Sequence, residues 1–182
     1  MMSNLNRWLL VPALIIPAAV SAPAFAMQYM TVEQAQKVLF PGADKFEAKV
    51  ITLSAAQKAA IEASSGVRVR VDEVKAWMVS QAGKPAGWFL LDEVYGKHEF
   101  ITYTVAIGMD GAVKGVEILD YRETHGSEVN NAKWRAQFVG KKAGDTLKLD
   151  EDIKNISGAT LSCKHMTDGV KRLLATYAAV LK

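Results

Sequence analysis

The segment Asn155 to Val170, NISGATLSCKHMTDGV, sets two hydroxyls, Ser157 and Thr160, around Gly158 and Ala159, directly before an amphipathic stretch. The first backbone N–H groups of a helix have no intrahelical partner, and the helix dipole makes that end favourable to an anion. Gly158 and Ala159 leave the backbone accessible, so a phosphate docked there would meet several donors without a cationic side chain. The same spacing also suits a plain serine-capped helix start, which is the commoner use of such a turn. Cys163, one helical turn past Thr160, is the single cysteine, so no internal disulfide is possible. An isolated thiol is more often a small buried hydrophobe than a redox group. His165 reads as a helix-surface residue and His98 as a solvated residue in a strand-edge loop. Asn155-Ile156-Ser157 fits a glycosylation sequon, but a glycan there would block the turn. There is no paired Cys/His metal spacing, no C-x-x-C-H haem site, and no G-x-G-x-x-G opening a βαβ unit.

The elements that must position this turn follow from pattern. Arg7, an apolar run from Trp8 to Val20 broken by Pro12 and Pro17, and the small-x-small site Ala24-Phe25-Ala26 read as a cleaved signal peptide over residues 1–26. The expected mature chain begins at Met27 and is periplasmic or otherwise extracytoplasmic. A membrane-spanning helix needs ~20 apolar residues, and no stretch of the mature chain provides them. Removing residues 1–26 leaves 22 − 1 = 21 basic against 19 acidic residues, or +2. That balance argues against nucleic acid or an anionic membrane surface as partner.

Thr31 with Gln34, and Ser54 with Gln57, are capping-box patterns opening two helices, closed by Phe40-Pro41-Gly42 and by Gly66. VRVRVDEVKAWMVSQ alternates as a half-buried strand does, and WFLLDEVY, EFITYTVAIG and VKGVEILDY are rich in β-branched and aromatic residues. Met109-Asp110-Gly111 is a hairpin signal between the last two. Asn131 caps a short helix carrying Trp134 and Phe138, and Trp134 reads as a core residue in preference to a stacking platform for a flat ring. DTLKLDEDI reads as a short strand and loop. From about Ala159 to Leu181 runs a helix with Met166, Val170, Leu173, Leu174, Tyr177 and Leu181 on one side. The expected fold is α+β: one domain, an antiparallel sheet of four or so strands packed by helices, and a long C-terminal helix after the SGAT turn.

SGATLS, followed by a C-terminal helix, resembles the flavinylation motif of the FMN-binding domain family. That family includes the extracytoplasmic flavin subunits of the sodium-translocating NADH:quinone reductase and the Rnf complex. The resemblance implies FMN carried on Thr160 through a phosphoester, installed by a flavin transferase with FAD as donor. Ser157, Gly158, Ala159 and Leu161 would shape the turn. GVEILDYRETHG followed by WRAQFVGK is similar to a second family segment, in which a strand leads to Glu-Thr-Pro-Gly and then Gln-Phe-x-Gly-Lys. By that likeness Glu123 and Thr124 lie near the isoalloxazine ring. His125 stands where the family has proline and is either a loop or a pocket residue.

The two segments cover roughly residues 100–182; residues 27 to about 96 match only in general style. Lys154 occupies a position, three before the motif serine, that is usually acidic, and the nearest acid is Asp152. The implied function is an exported flavoprotein shuttling electrons between redox partner proteins such as a membrane reductase or a cytochrome. An FMN-binding sensor, or a non-catalytic subunit of a membrane-bound oxidoreductase complex, stands as the alternative. Lys133, Arg135, Lys141 and Lys142 offer either a basic docking patch beside the proposed flavin loop or a merely solvated face.

Overall fold

The structure is a computed structural model that describes residues 27–182. The signal-peptide reading of residues 1–26 lies outside the described residues. Six antiparallel strands form one sheet: β1 (Met27–Gln28), β2 (Lys45–Thr52), β3 (Glu73–Gln81), β4 (Lys84–Tyr95), β5 (Phe100–Gly108) and β6 (Val113–Tyr121), in the order β1-β6-β5-β4-β3-β2. The four expected strands are the β3–β6 meander, and β1 and β2 extend it at its two edges.

Both capping boxes form. In α1 (Val32–Leu39) Gln34 N–H donates to Thr31 Oγ1 at 3.3 Å while Thr31 N–H donates to Gln34 Oε1 at 2.7 Å. Ser54 and Gln57 repeat this at α2 (Ala55–Ser65), which Gly66 ends in the left-handed region. One face of the sheet packs on α2 and on α4 (Thr160–Thr176), through Ile61, Leu90, Tyr103, Ile118, Met166 and Leu174. The other face packs on α1 and its flanks through Ala35, Phe40, Val79, Phe89, Ala106 and Leu119. With both faces covered, a central strand reads as a continuous apolar run rather than an alternation. That is why Trp88, Phe89 and Leu90 follow one another and are all buried.

α4 crosses close to the sheet because residue 169 is glycine. A Cβ there would lie 2.3 Å from the Tyr103 hydroxyl oxygen and 2.8 Å from Val94 Cγ1. At its far end the helix passes into a π-turn over Tyr177–Leu181, anchored by Tyr177 Oη donating to Met109 O at 3.0 Å.

Two expectations are corrected. The alternating stretch from Val67 does not enter the sheet until Glu73. Before that, Val69 N–H donates to Glu62 Oε1 at 2.8 Å and Leu53 N–H to Asp72 O at 2.8 Å, so the segment wraps the end of α2. DTLKLDEDI forms no ladder strand, only an isolated bridge between Leu149 and Ile153. Asp152 takes the N–H groups of Leu147 (3.1 Å) and Lys148 (2.7 Å), so a side chain satisfies donors that a strand would give a neighbour.

Candidate functional site

α4 begins without a side-chain cap. Its N-cap is Ala159, at φ −117° and ψ 18°, and Ser157 is exposed and does not bond the helix end. The plain serine-cap reading of the turn is therefore set aside, and the helix presents an uncapped, electropositive N-terminus. Gly158 has φ +87°, and a Cβ there would meet nothing within 4 Å. Glycine is needed here for its left-handed backbone rather than for lack of room. The first helical bond runs from Cys163 N–H to Ala159 O at 2.9 Å. Thr160 and Leu161 are both exposed. Thr160 Oγ1 accepts from Asn155 Nδ2 at 3.2 Å, so a residue read only as part of a sequon orients the hydroxyl.

The second motif folds onto this turn. Tyr121, buried at the end of β6, donates its hydroxyl to His125 O at 2.5 Å and lies 3.0 Å from Ser162 Oγ. Burial, partly offset by the bond to Ser162, pushes the Tyr121 phenol above its usual value and keeps it neutral. Gly126 has φ +91°, and a Cβ there would lie 2.7 Å from Tyr121 Oη, 2.8 Å from Ser162 Oγ and 3.5 Å from Ala159 Cα. The Glu-Thr-His-Gly loop thus touches the first turn of α4 through its glycine. Thr124 and His125 are exposed beside it.

Glu123 is buried and bonds the neighbouring turn. Its Oε1 accepts the backbone N–H groups of Lys97, His98 (2.5 Å) and Glu99 (3.0 Å), closing the β4–β5 turn. Burial alone would raise this carboxyl, but the three N–H donors outweigh it and hold Glu123 below the usual carboxylate value. A depressed folded-state value gives stability that is present above the unfolded value, near pH 4.3, and is lost as pH falls through the folded one. Glu123→Gln is expected to cost about 1–2 kcal/mol at pH 7. The gap to wild type should close as denaturation is repeated below pH 4. A gap constant with pH would show that the charge contributes nothing.

The WRAQF segment secures the approach to the turn. Trp134 is buried, edge-on to Phe138 at 5.2 Å, and its Nε1–H donates to Lys154 O at 2.7 Å. Gln137 Oε1 accepts from Lys154 N–H at 2.8 Å. The core reading of Trp134 holds, and it fixes the residue just ahead of NISGAT. Cys163 is fully buried, and burial pushes its thiol up, so the small-hydrophobe reading holds as well.

The structure corrects two further readings. His165 is half-buried rather than on the surface, and its Nδ1 is buried without a hydrogen-bond partner. Three of the four residues of the proposed basic patch pair with acids from elsewhere in the chain, and the exposed Lys133 forms no ion pair among the described residues. Arg135 is buried and bonds Glu117 at 2.7 Å, Lys141 pairs with Asp152 at 2.9 Å, and Lys142 with Asp110 at 3.1 Å.

The site therefore offers an uncapped helix N-terminus, an open glycine turn and an exposed hydroxyl, which together fit an anionic phosphate ester. No group of three or more His, Cys, Asp or Glu able to hold a metal occurs among the described residues. No described helix is long and apolar enough to cross a membrane.

Residues 96–175 match the FMN-binding domain family. Over 180 residues the chain is 28% identical to the G component of the proton-translocating ferredoxin:NAD(+) oxidoreductase complex of Clostridium ljungdahlii, covering 92% of this chain and 85% of that one. It is 27% identical over 151 residues to the C component of the Na(+)-translocating NADH-quinone reductase of Pasteurella multocida, covering 72% of this chain and 58% of the relative. The crystal structure of the corresponding C component of the Na(+)-translocating NADH-quinone reductase of Parabacteroides distasonis superposes with a TM-score of 0.55 over 84% of this chain and 85% of that one, at 15% identity, a likeness of fold. The span that matches the FMN-binding domain family holds both the Gly126 loop and the SGAT turn.

Proposed function

We propose that this chain is an exported flavoprotein that holds FMN as a phosphoester on Thr160 and passes electrons between redox partners. The observation that carries the reading is the convergence of the Gly126 loop on an uncapped helix N-terminus beside an exposed threonine hydroxyl. FMN, when bound, supplies one- and two-electron chemistry, and the protein holds and tunes it. In the attachment step Thr160 Oγ replaces AMP at the flavin-side phosphorus of FAD. The P–O bond to AMP breaks and the hydroxyl proton passes to a base of the transferase. The resulting diester is a monoanion, suited to a helix N-terminus. Outside the cytoplasm, where FMN is not resupplied, the covalent bond prevents loss of the cofactor.

The relatives named as components of ion-translocating complexes favour a second reading, in which the domain serves inside such an assembly. Intact mass of the protein made with a flavin transferase tests attachment: one FMN residue should be added. Export is tested by N-terminal sequencing, with Met27 expected as the first residue and residues 1–26 retained in a membrane fraction as the opposing result. With no nicotinamide fingerprint in the sequence, the purified, flavinylated protein should be inert towards NADH yet exchange electrons rapidly with a partner protein. Rapid NADH oxidation by the isolated protein would overturn the carrier reading.

A further inference from the structure

A cleft of about 900 Å³ runs along α4, walled by the starts of β3 and β5, the end of β4 and the loop after α2. Residues four apart lie on one face of a helix. Thr160, Lys164 and Asp168 form such a row, and Lys164 and Asp168 line the cleft, whereas Ser162 faces Tyr121. A group attached to Thr160 Oγ therefore leaves the helix on the cleft side, and Lys164 lies only about 6 Å further along the axis.

Three features of the cleft call for an occupant. His165 lines the wall and its Nδ1 has no hydrogen-bond partner as placed, a cost of about 1–3 kcal/mol that a turn of the ring towards a polar occupant would relieve. Tyr95 and Phe100, 52% and 47% exposed, stand edge to face at 5.3 Å on the rim. Arg68 and Arg70 also line the cleft and form no ion pair among the described residues, while Lys164 is paired with Asp168 and Arg172 with Asp92. A flat heteroaromatic with a hydrogen-bonding edge that gains negative charge on reduction matches all three.

Resting on the Thr160 reading, we infer that the isoalloxazine ring of the tethered flavin lies in this cleft, its apolar part against Tyr95 and Phe100 and its polar edge towards His165 and the arginines. Glu123 then acts as a positioning residue, holding the β4–β5 turn that presents Tyr95 and Phe100. The volume falls within the range of cofactor-sized sites.

The test separates ring from phosphate. In the flavinylated protein, Tyr95→Ala and Phe100→Ala should raise flavin fluorescence several-fold with the FMN adduct mass unchanged, and Tyr95→Phe should restore quenching. Both side chains are half-exposed, so the fold should survive their loss. In parallel, unflavinylated Thr160→Ala protein is titrated with riboflavin, which has no phosphate. Saturable quenching is expected, weakened about fivefold or more by His165→Ala. Fluorescence indifferent to Tyr95 and Phe100, or riboflavin unquenched by the Thr160→Ala protein, would overturn the placement. Absence of an adduct on the wild-type chain would instead defeat the attachment reading, because the riboflavin titration reports on the cleft alone.

Discussion

Alanine at position 160 is expected to leave a folded protein that holds no covalent flavin. Thr160 is exposed, and its one side-chain bond among the described residues is the 3.2 Å contact from Asn155 Nδ2. Losing it should change stability by no more than about 0.5 kcal/mol, while removing the hydroxyl proposed above to form the phosphoester. The effect on attachment is all or none. Thr160→Ser keeps the nucleophilic oxygen but loses the methyl that restricts χ1, so it should be flavinylated slowly and incompletely. Asn155→Ala should lie between, with the hydroxyl present but no longer oriented. Intact mass after co-expression with the transferase, and flavin fluorescence on a denaturing gel, read the outcome. An alanine variant that kept flavin through denaturation would place the bond elsewhere.

The legibility of this molecule in its sequence divides along physical lines. Elements whose signals are local are readable: both capping boxes, the β3–β6 meander with its hairpin at Met109-Asp110-Gly111, and the long amphipathic α4. β2 does not stand out, although Lys45, Glu47 and Lys49 alternate with Phe46, Ala48 and Val50. As an edge strand it buries little and carries ion pairs, such as Lys45–Glu47 at 3.1 Å, where a core strand carries apolar side chains. The two site motifs can be found separately. Their contact through Gly126 cannot, because it depends on where β6 ends relative to α4. Asn155 and Glu123 show the limit from two sides. Asn155 reads as a sequon but touches Thr160, and Glu123, placed near the ring only by resemblance, also closes a backbone turn. In both cases the side chain's partner is set by tertiary placement, on which residue type and spacing are silent. The pairing of three basic-patch residues is hidden for the same reason, since their acids, Glu117, Asp110 and Asp152, come from three other places in the chain.

The largest loss of stability is expected from Asp92→Ala, at the floor of the cleft. Asp92 Oδ2 accepts from Arg172 Nη2 at 2.5 Å and from Tyr103 Oη at 2.8 Å, and the Asp92 and Arg172 side chains are only 11% and 15% exposed. Burial first, and then the neighbouring Asp92 charge, push the Tyr103 phenol well above its usual value, so at neutral pH it is a neutral donor. Removing the carboxylate leaves a guanidinium almost out of water with no counter-charge, and a buried hydroxyl with no acceptor. Breaking one partner of a buried pair costs about 3–5 kcal/mol, although the intact pair contributes little net because desolvation offsets its attraction. For a domain of this size that corresponds to a drop of roughly 10 °C in Tm. The asymmetry supplies its own control. Replacing Asp92, Arg172 and Tyr103 together by Leu, Met and Phe removes both the charges and the orphaned donor, and should recover most of the loss. Guanidinium denaturation of wild type, Asp92→Ala and the triple variant reads this directly. If the triple variant were as unstable as the single one, the loss would come from packing beneath α4 rather than from the uncompensated charge. The flavin adduct on folded Asp92→Ala should be unchanged, because the pair lies about three helical turns from Thr160.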